Sequence, residues 1–137
     1  MIAGEGPDRG RLEQLARERG LNGRARFTGR ITEAELADLY AHCLAVYYAP
    51  VDEDYGMVPL EAFLSEKPVL TTTDAGGPLE IVSDGSTGLV VVPDAGEIAR
   101  ALGWLREHRD EAASYGRAGK AIASEVTWDR AIGRLLS

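Results

Sequence analysis

Two glutamates, Glu53 and Glu61, stand with seven residues between them in the stretch VDEDYGMVPLEA that runs from Val51 to Ala62. An ionised carboxylate accepts hydrogen bonds, and a sugar's vicinal hydroxyls supply a matching pair of donors, each bond being worth about 1.5–3 kcal/mol because the acceptor is charged. For both acids to serve one ligand, a turn must lie between them. Tyr48-Ala49-Pro50 closes a strand-like run, and Asp52 to Tyr55 read as loop. From Gly56 onward, Met57, Leu60 and Leu64 recur at helical spacing. Glu53 is therefore expected before a helix and Glu61 two turns into it, four residues after Met57. Its side chain should lean back over the opening turn.

That opening turn has a chemistry of its own. The first four N–H groups of a helix lack intrahelical acceptors and carry the positive end of the macrodipole, which suits a phosphate. Gly56 presents no Cβ to hold a ligand away from those amides, and Pro59 is tolerated in the first turn, where its missing N–H is no loss. A phosphate flanked by hydroxyl-binding carboxylates describes a nucleotide sugar.

The elements that must position these groups can be read along the chain. Met1-Ile2-Ala3 has the look of the tail of a buried strand. Gly4-Glu5-Gly6 follows, then Pro7-Asp8 suit the first turn of a helix that runs to about Arg19 and stops at Gly20. The strand, glycine turn and helix invite a dinucleotide reading, but the third glycine of G-x-G-x-x-G would fall at Arg9, so that fingerprint fails. Ala25 to Thr28 predict a short strand ending at Gly29, and Thr32 with Glu35 forms a capping box for the next helix. Leu44 to Ala49 is a continuous apolar run, as in a strand covered on both faces. Pro68 to Thr72 predict another strand, followed by the loop Asp74-Ala75-Gly76-Gly77-Pro78 and a short helix carrying Glu80 and Ile81. The two glycines permit amides to approach a ligand closely. Gly88 to Val92 predict a last strand, and helices are expected over Asp94–Glu107, Asp110–Glu125 and Thr127–Leu136. Trp104, Trp128 and Leu135 are expected to pack rather than to touch ligand. Strands alternating with helices indicate an α/β, Rossmann-like doubly wound, largely parallel sheet with flanking helices, which binds ligands at the carboxyl ends of its strands.

Composition narrows the partners. A chain of 137 residues fits one domain, and at that size roughly two-thirds of the unfolded surface can be buried. An apolar share of 45% beside 27% charged residues is that of an ordinary globular protein. A net charge of −7 argues against duplex nucleic acid, which rewards clustered Lys and Arg. No run approaches the roughly 18 apolar residues of a membrane span, and the N-terminus lacks the pattern of a signal peptide, so a cytoplasmic location is expected. The single cysteine, Cys43, lies in an apolar stretch and is expected in the core. Asp52-Glu53-Asp54 matches an acidic triplet that can hold a divalent metal, but nothing else converges on it, and no metal is expected. Gly116 to Lys120 imitates a phosphate loop, yet Ser114 and Ala121 stand where glycine and Ser or Thr are required. His42 and His108 have no nucleophile and acid arranged around them, and no G-x-S-x-G is present, so hydrolase chemistry has no support.

The E-x7-E signature, followed by Glu66-Lys67-Pro68-Val69, then Gly76-Gly77 and Glu80, resembles the donor-binding half of the retaining glycosyltransferases of group 1 (family 4), which have the two-domain GT-B fold. The likeness extends from Gly4-Glu5-Gly6-Pro7 through Arg26-Phe27-Thr28-Gly29, Tyr40-Ala41 and Gly88-Leu89-Val90 to Val126-Thr127-Trp128, nearly the whole chain. It implies a UDP- or GDP-sugar as donor substrate, with no other cofactor, and transfer with retention, the departing phosphate helping to deprotonate the acceptor. Glu53 and Glu61 would be the catalytic pair, Glu61 on the ribose and Glu53 on the transferred sugar. The donor would lie along Tyr55, Gly56, Met57 and Val58. Gly29, Arg30 and Ile31 would meet the base, although Arg30 as a solvated surface charge is equally consistent. Gly4 and Gly6 would lie beside the nucleotide, a tight turn alone being the other reading. Gly76, Gly77 and Glu80 would support the site.

The chain also departs from this pattern. Family members begin with an acceptor-binding domain and open the donor domain with a strand and helix carrying an arginine and a lysine, and neither precedes Met1. The whole chain, 1–137, is thus expected to be one donor-binding domain lacking the acceptor domain and its own first strand and helix. In a doubly wound sheet of order 3-2-1-4-5-6 that strand is central. Another segment, a partner chain or a second copy should fill the gap, or the sheet should rearrange. Glu66 stands where glycine is usual, and Pro78 precedes Glu80 by one residue more than usual. Two functions follow: half of a glycosyltransferase, whether truncated or one chain of a split enzyme, and a nucleotide or nucleotide-sugar binding module without transfer. A truncated product with no independent function is a third.

Overall fold

A computed structural model describes residues 1–136, with the backbone alone at Trp128, Ala131, Arg134 and Leu135. The packing roles expected of the Trp128 and Leu135 side chains lie outside the described residues. Contacts divide the chain into two units, Met1–Leu39 and Tyr40–Ser137, with the division inside a helix.

The first unit holds β1 (Ile2–Ala3), α1 (Arg9–Glu18) and β2 (Phe27–Gly29), and α2 (Glu33–His42) begins in it. β1 and β2 run parallel, with Ile2 opposite Phe27 and the Ile2 amide donating to the Arg26 carbonyl at 2.7 Å. Pro7 lies outside α1, whose N-cap is Asp8; that carboxylate pairs with Arg11 at 3.2 Å instead of capping an amide. The Arg11 hydrogen bond and charge hold the Asp8 carboxyl below its ordinary range. The Thr32 and Glu35 capping box forms as expected. The Thr32 amide donates to Glu35 Oε2 at 2.7 Å and the Glu35 amide to Thr32 Oγ1 at 3.3 Å. The expectation of a buried first strand is not met. Met1 is 61% exposed and Ile2 47%, and Gly29 is the one buried residue of this unit. A two-residue strand paired along one edge leaves these side chains exposed.

The second unit contains β3 (Val46–Tyr47), α3 (Val58–Leu64), β4 (Val69–Thr72), a 3-10 turn (Gly77–Glu80), β5 (Gly88–Val91), α4 (Ala95–Glu107), α5 (Arg109–Ala123) and α6 (Trp128–Leu135). Its sheet is parallel in the order β3-β4-β5. β4 is central and every one of its residues is buried, which is why its sequence is apolar or threonine throughout. β3, expected to be covered on both faces, is an edge strand: Val46 is half-buried and Tyr47 is 50% exposed. Among the described residues no strand pairs with the second edge of β1 or of β3.

Leu70 of β4 packs with Ala101 and Leu105 of α4 and Ala112 of α5, with Ala45, Leu89, Val91 and Ile98 around them. Two glycines let α5 lie close to α3: a Cβ at Gly119 would enter the Phe63 ring, and one at Gly116 would enter the Glu66 carbonyl. Glu66, in the left-handed region at φ 57°, bonds Lys120 of α5 through its side chain at 2.7 Å. α4 is capped by Asp94, which accepts from the Gly96 and Glu97 amides. Trp104 packs as expected, stacking on His108 with ring centroids 4.4 Å apart and on Tyr115 at 5.9 Å. Cys43 is half-buried, its thiol donating to the Tyr40 carbonyl at 3.4 Å, and burial pushes that thiol's pKa up. No helix among the described residues is long and apolar enough to cross a membrane.

Candidate functional site

The loop that carries Glu53 is built as an extension of the sheet. The Asp52 amide donates to the Asp74 carbonyl at 2.9 Å, and the Glu53 amide to the Ala75 carbonyl at 3.1 Å. In return the Gly77 amide donates to the Glu53 carbonyl at 2.6 Å, so Glu53 bridges to Gly76 in the parallel sense. Asp52 takes a left-handed conformation, φ 51°, to make the step. Gly76 and Gly77 are needed for this junction. A Cβ on Gly76 would stand 2.6 Å from the Glu53 carbonyl oxygen, and one on Gly77 would enter the Asp54 carbonyl. The approach of one loop's backbone to the other's is thus a requirement on these glycines that the sequence did not reveal.

Gly56 likewise serves packing. Its φ is 71°, and a Cβ there would press on Pro78 and on the Tyr48 ring, each at 3.2 Å. Helix α3 begins after it, later than the sequence pattern predicts, with Met57 as N-cap and Pro59 in the first turn, so that Glu61 lies in the first turn and not two turns in. The Met57 carbonyl receives the Glu61 amide at 3.1 Å. With seven residues, α3 is too short for much of a macrodipole; its assets are the open amides of the first turn.

Each glutamate is met by a tyrosine hydroxyl that the spacing did not reveal. Tyr40, buried at the end of α2, donates to Glu61 Oε2 at 2.9 Å. Tyr48, half-buried just past β3, donates to Glu53 Oε2 at 3.4 Å, a long contact. Burial first, then the hydrogen bond and charge of Glu61, push the Tyr40 phenol well above its ordinary value. Glu61 is half-buried and Glu53 exposed. The signal for both tyrosines was chemical: an acid on the half-buried side of a helix needs a donor, and a buried phenol needs an acceptor.

Other expected site residues fall in two groups. Tyr55 and Met57 are exposed and Val58 is half-buried, all beside the Gly56 turn. Glu80 is exposed on the 3-10 turn and makes no hydrogen bond or ion pair to either glutamate. In the first unit the structure brings the other five together. The Gly4 amide donates to the Gly29 carbonyl at 2.9 Å, and Arg30 pairs with Glu5 at 3.2 Å across the Gly4 to Gly6 turn, with Ile31 half-buried next in the chain. Arg30 is 87% exposed, so that ion pair is a weak one. No group of three or more His, Cys, Asp and Glu among the described residues is placed to hold a metal ion. Two shallow depressions, of about 190 and 310 Å3, are lined by Glu13, Arg17 and Phe27 and by Leu89, Arg100 and Trp104, and neither acid lines either of them.

Residues 1–122 match the family model described as glycosyl transferases group 1. The chain is 37% identical over 91 residues to the alpha-1,3/1,6-mannosyltransferase ALG2 of Dictyostelium discoideum, covering 66% of this chain and 21% of that protein. It is 35% identical over 128 residues to the D-inositol 3-phosphate glycosyltransferase of Mycolicibacterium paratuberculosis, covering 92% and 29%. Among solved structures, Anabaena HepE in complex with UDP and glucose superposes with a TM-score of 0.84 at 28% identity, over 98% of this chain and 39% of that one. TarM, at 17% identity and a TM-score of 0.84, shares the fold. The chain thus spans between about a fifth and two-fifths of these relatives' lengths. With the E-x7-E pair on a loop and helix after a parallel strand, and a family match over residues 1–122, this chain belongs to the group 1 glycosyltransferases, as the C-terminal part of their GT-B fold.

Proposed function

We propose that the chain binds the donor in a retaining glycosyltransferase that moves a sugar from a UDP- or GDP-sugar to an acceptor held by another domain or chain. The observation that carries this reading is the pair Glu53 and Glu61 on either side of the α3 opening turn, each with one oxygen met by a tyrosine hydroxyl. HepE, seen with UDP and glucose, supports it from outside. In this proposal Glu61 accepts the ribose hydroxyls, and Glu53, exposed and loosely held, orients the transferred sugar. The open amides at Gly56, Met57 and Val58 meet the diphosphate as it departs with growing negative charge.

The test is calorimetric binding of UDP- and GDP-sugars to the chain and to Glu61→Ala. Removing hydrogen bonds to a charged acceptor is expected to weaken binding by about 2–3 kcal/mol, some thirtyfold or more. Unchanged affinity takes Glu61 out of the site. A second reading is a binding module without transfer, and binding without turnover in the presence of an acceptor-domain partner would favour it.

A further inference from the structure

We propose that Tyr40 is a positioning residue for the donor site, its buried hydroxyl fixing one oxygen of Glu61 so that the rest of the carboxylate is presented to the ribose hydroxyls. The inference rests on the reading of Glu61 as the ribose acceptor and adds a residue to which the E-x7-E pattern assigns no role.

The geometry separates the two tyrosine contacts. Tyr40 is 9% exposed and donates at 2.9 Å, a full hydrogen bond, whereas Tyr48 reaches the exposed Glu53 at 3.4 Å. A glutamate on a helix has three rotatable bonds and samples several rotamers unless something holds it. Tyr40 supplies such a hold, donating to Glu61 Oε2 at 2.9 Å. Tyr40 is itself set in the fold, buried in the last turn of α2 with its backbone carbonyl receiving the Cys43 thiol at 3.4 Å. An anchored donor at one oxygen selects the carboxylate's orientation before ligand arrives, and ordering a side chain in advance removes part of the cost of binding. The hydroxyl occupies one acceptor position of about four on an ionised carboxylate, which leaves room for a pair of ribose hydroxyls. Tyr40 therefore acts through Glu61, without touching the donor.

The experiment measures binding of UDP and GDP, each beside its 2′-deoxy counterpart, to the full chain, to Tyr40→Phe and to Glu61→Ala. Wild type is expected to prefer the ribonucleotide, Glu61→Ala to lose that preference, and Tyr40→Phe to lose roughly tenfold in ribonucleotide affinity and most of the preference, with 2′-deoxy binding nearly unchanged. A change confined to packing would weaken both ligands alike. A ribose preference intact in Tyr40→Phe but lost in Glu61→Ala overturns the role of Tyr40 and leaves Glu61 standing. If Glu61→Ala also keeps the preference, or wild type binds neither nucleotide, the proposed site falls and this inference with it. Should Tyr40→Phe fail to fold by circular dichroism, the hydroxyl is structural and the inference is overturned. A second measurement checks the contact itself. Because the Glu61 charge opposes phenolate formation, Glu61→Gln should let one tyrosine ionise at lower pH in tyrosinate absorbance, and an unchanged titration breaks the link.

Discussion

At the scale of single residues, the two acids could be found by counting and their partners could not. Glu53 and Glu61 are separated by a spacing that survives in any linear reading, but Tyr40 lies 21 residues before the acid it bonds. It is brought there by the way α2 ends, which no local pattern encodes. The Tyr40 phenol also carries a stability signature. Its folded-state pKa is raised above the ordinary value near 10, chiefly by burial and then by Glu61. A group with a raised folded pKa stabilises the fold fully below its unfolded pKa and loses that contribution as pH rises toward the folded one. The urea midpoint of the wild-type chain is therefore expected to fall as pH climbs beyond about 10. Tyr40→Phe should flatten that decline, the remainder coming from Tyr48, whose phenol is shifted in the same direction. Equal declines in the two proteins would mean that the phenol is not buried as described.

Among the elements, the α3 and α5 pair shows how closely glycine placement can be tied to packing. Gly116 and Gly103 both lie inside helices, and their chemistry on paper is the same. A methyl at Gly103 would meet nothing, so Gly103→Ala is expected to stabilise by about 0.5–1 kcal/mol through helix propensity alone. Gly116→Ala would drive a methyl into the Glu66 carbonyl and should cost about 1–3 kcal/mol. Denaturant unfolding of the two variants reads the difference, and a like sign for both would contradict the packing. This contrast also marks what could be read in advance. The Thr32 and Glu35 box and the apolar run of β4 are local, so their chemistry predicted their structure. The glycines at 56, 76 and 77 suggested room for a ligand because sequence shows only that a Cβ is missing. It does not show that Pro78 and the Glu53 and Asp54 backbone stand where that Cβ would be. The same limit applies to β1 and β3, where apolar residues predicted burial but the described chain supplies a neighbour on one edge alone.

For the molecule as a whole, stability is unevenly spread. The unit Met1–Leu39 buries a single residue, and a segment of about 40 residues rarely closes a core without help. The unit Tyr40–Ser137 contains the fully buried β4 and the Leu70 cluster. Hydrogen exchange should therefore divide the chain. The Ile2 and Gly4 amides, although bonded to Arg26 and Gly29, should exchange through low-energy local opening, while the amides of β4 should need opening close to global unfolding. Protection at Ile2 equal to that in β4 would show that something covers β1. One further consequence belongs to the junction of Glu53 with Gly76. Because that bridge is isolated from β3 and β4 and pairs Glu53 with Gly76 through backbone bonds alone, lengthening either segment by one amino acid would shift the acid out of the pairing. Insertions and deletions there should survive only in compensating pairs, so the number of residues between Tyr48 and Glu53 ought to drift far less across lineages than the identity of any one of them.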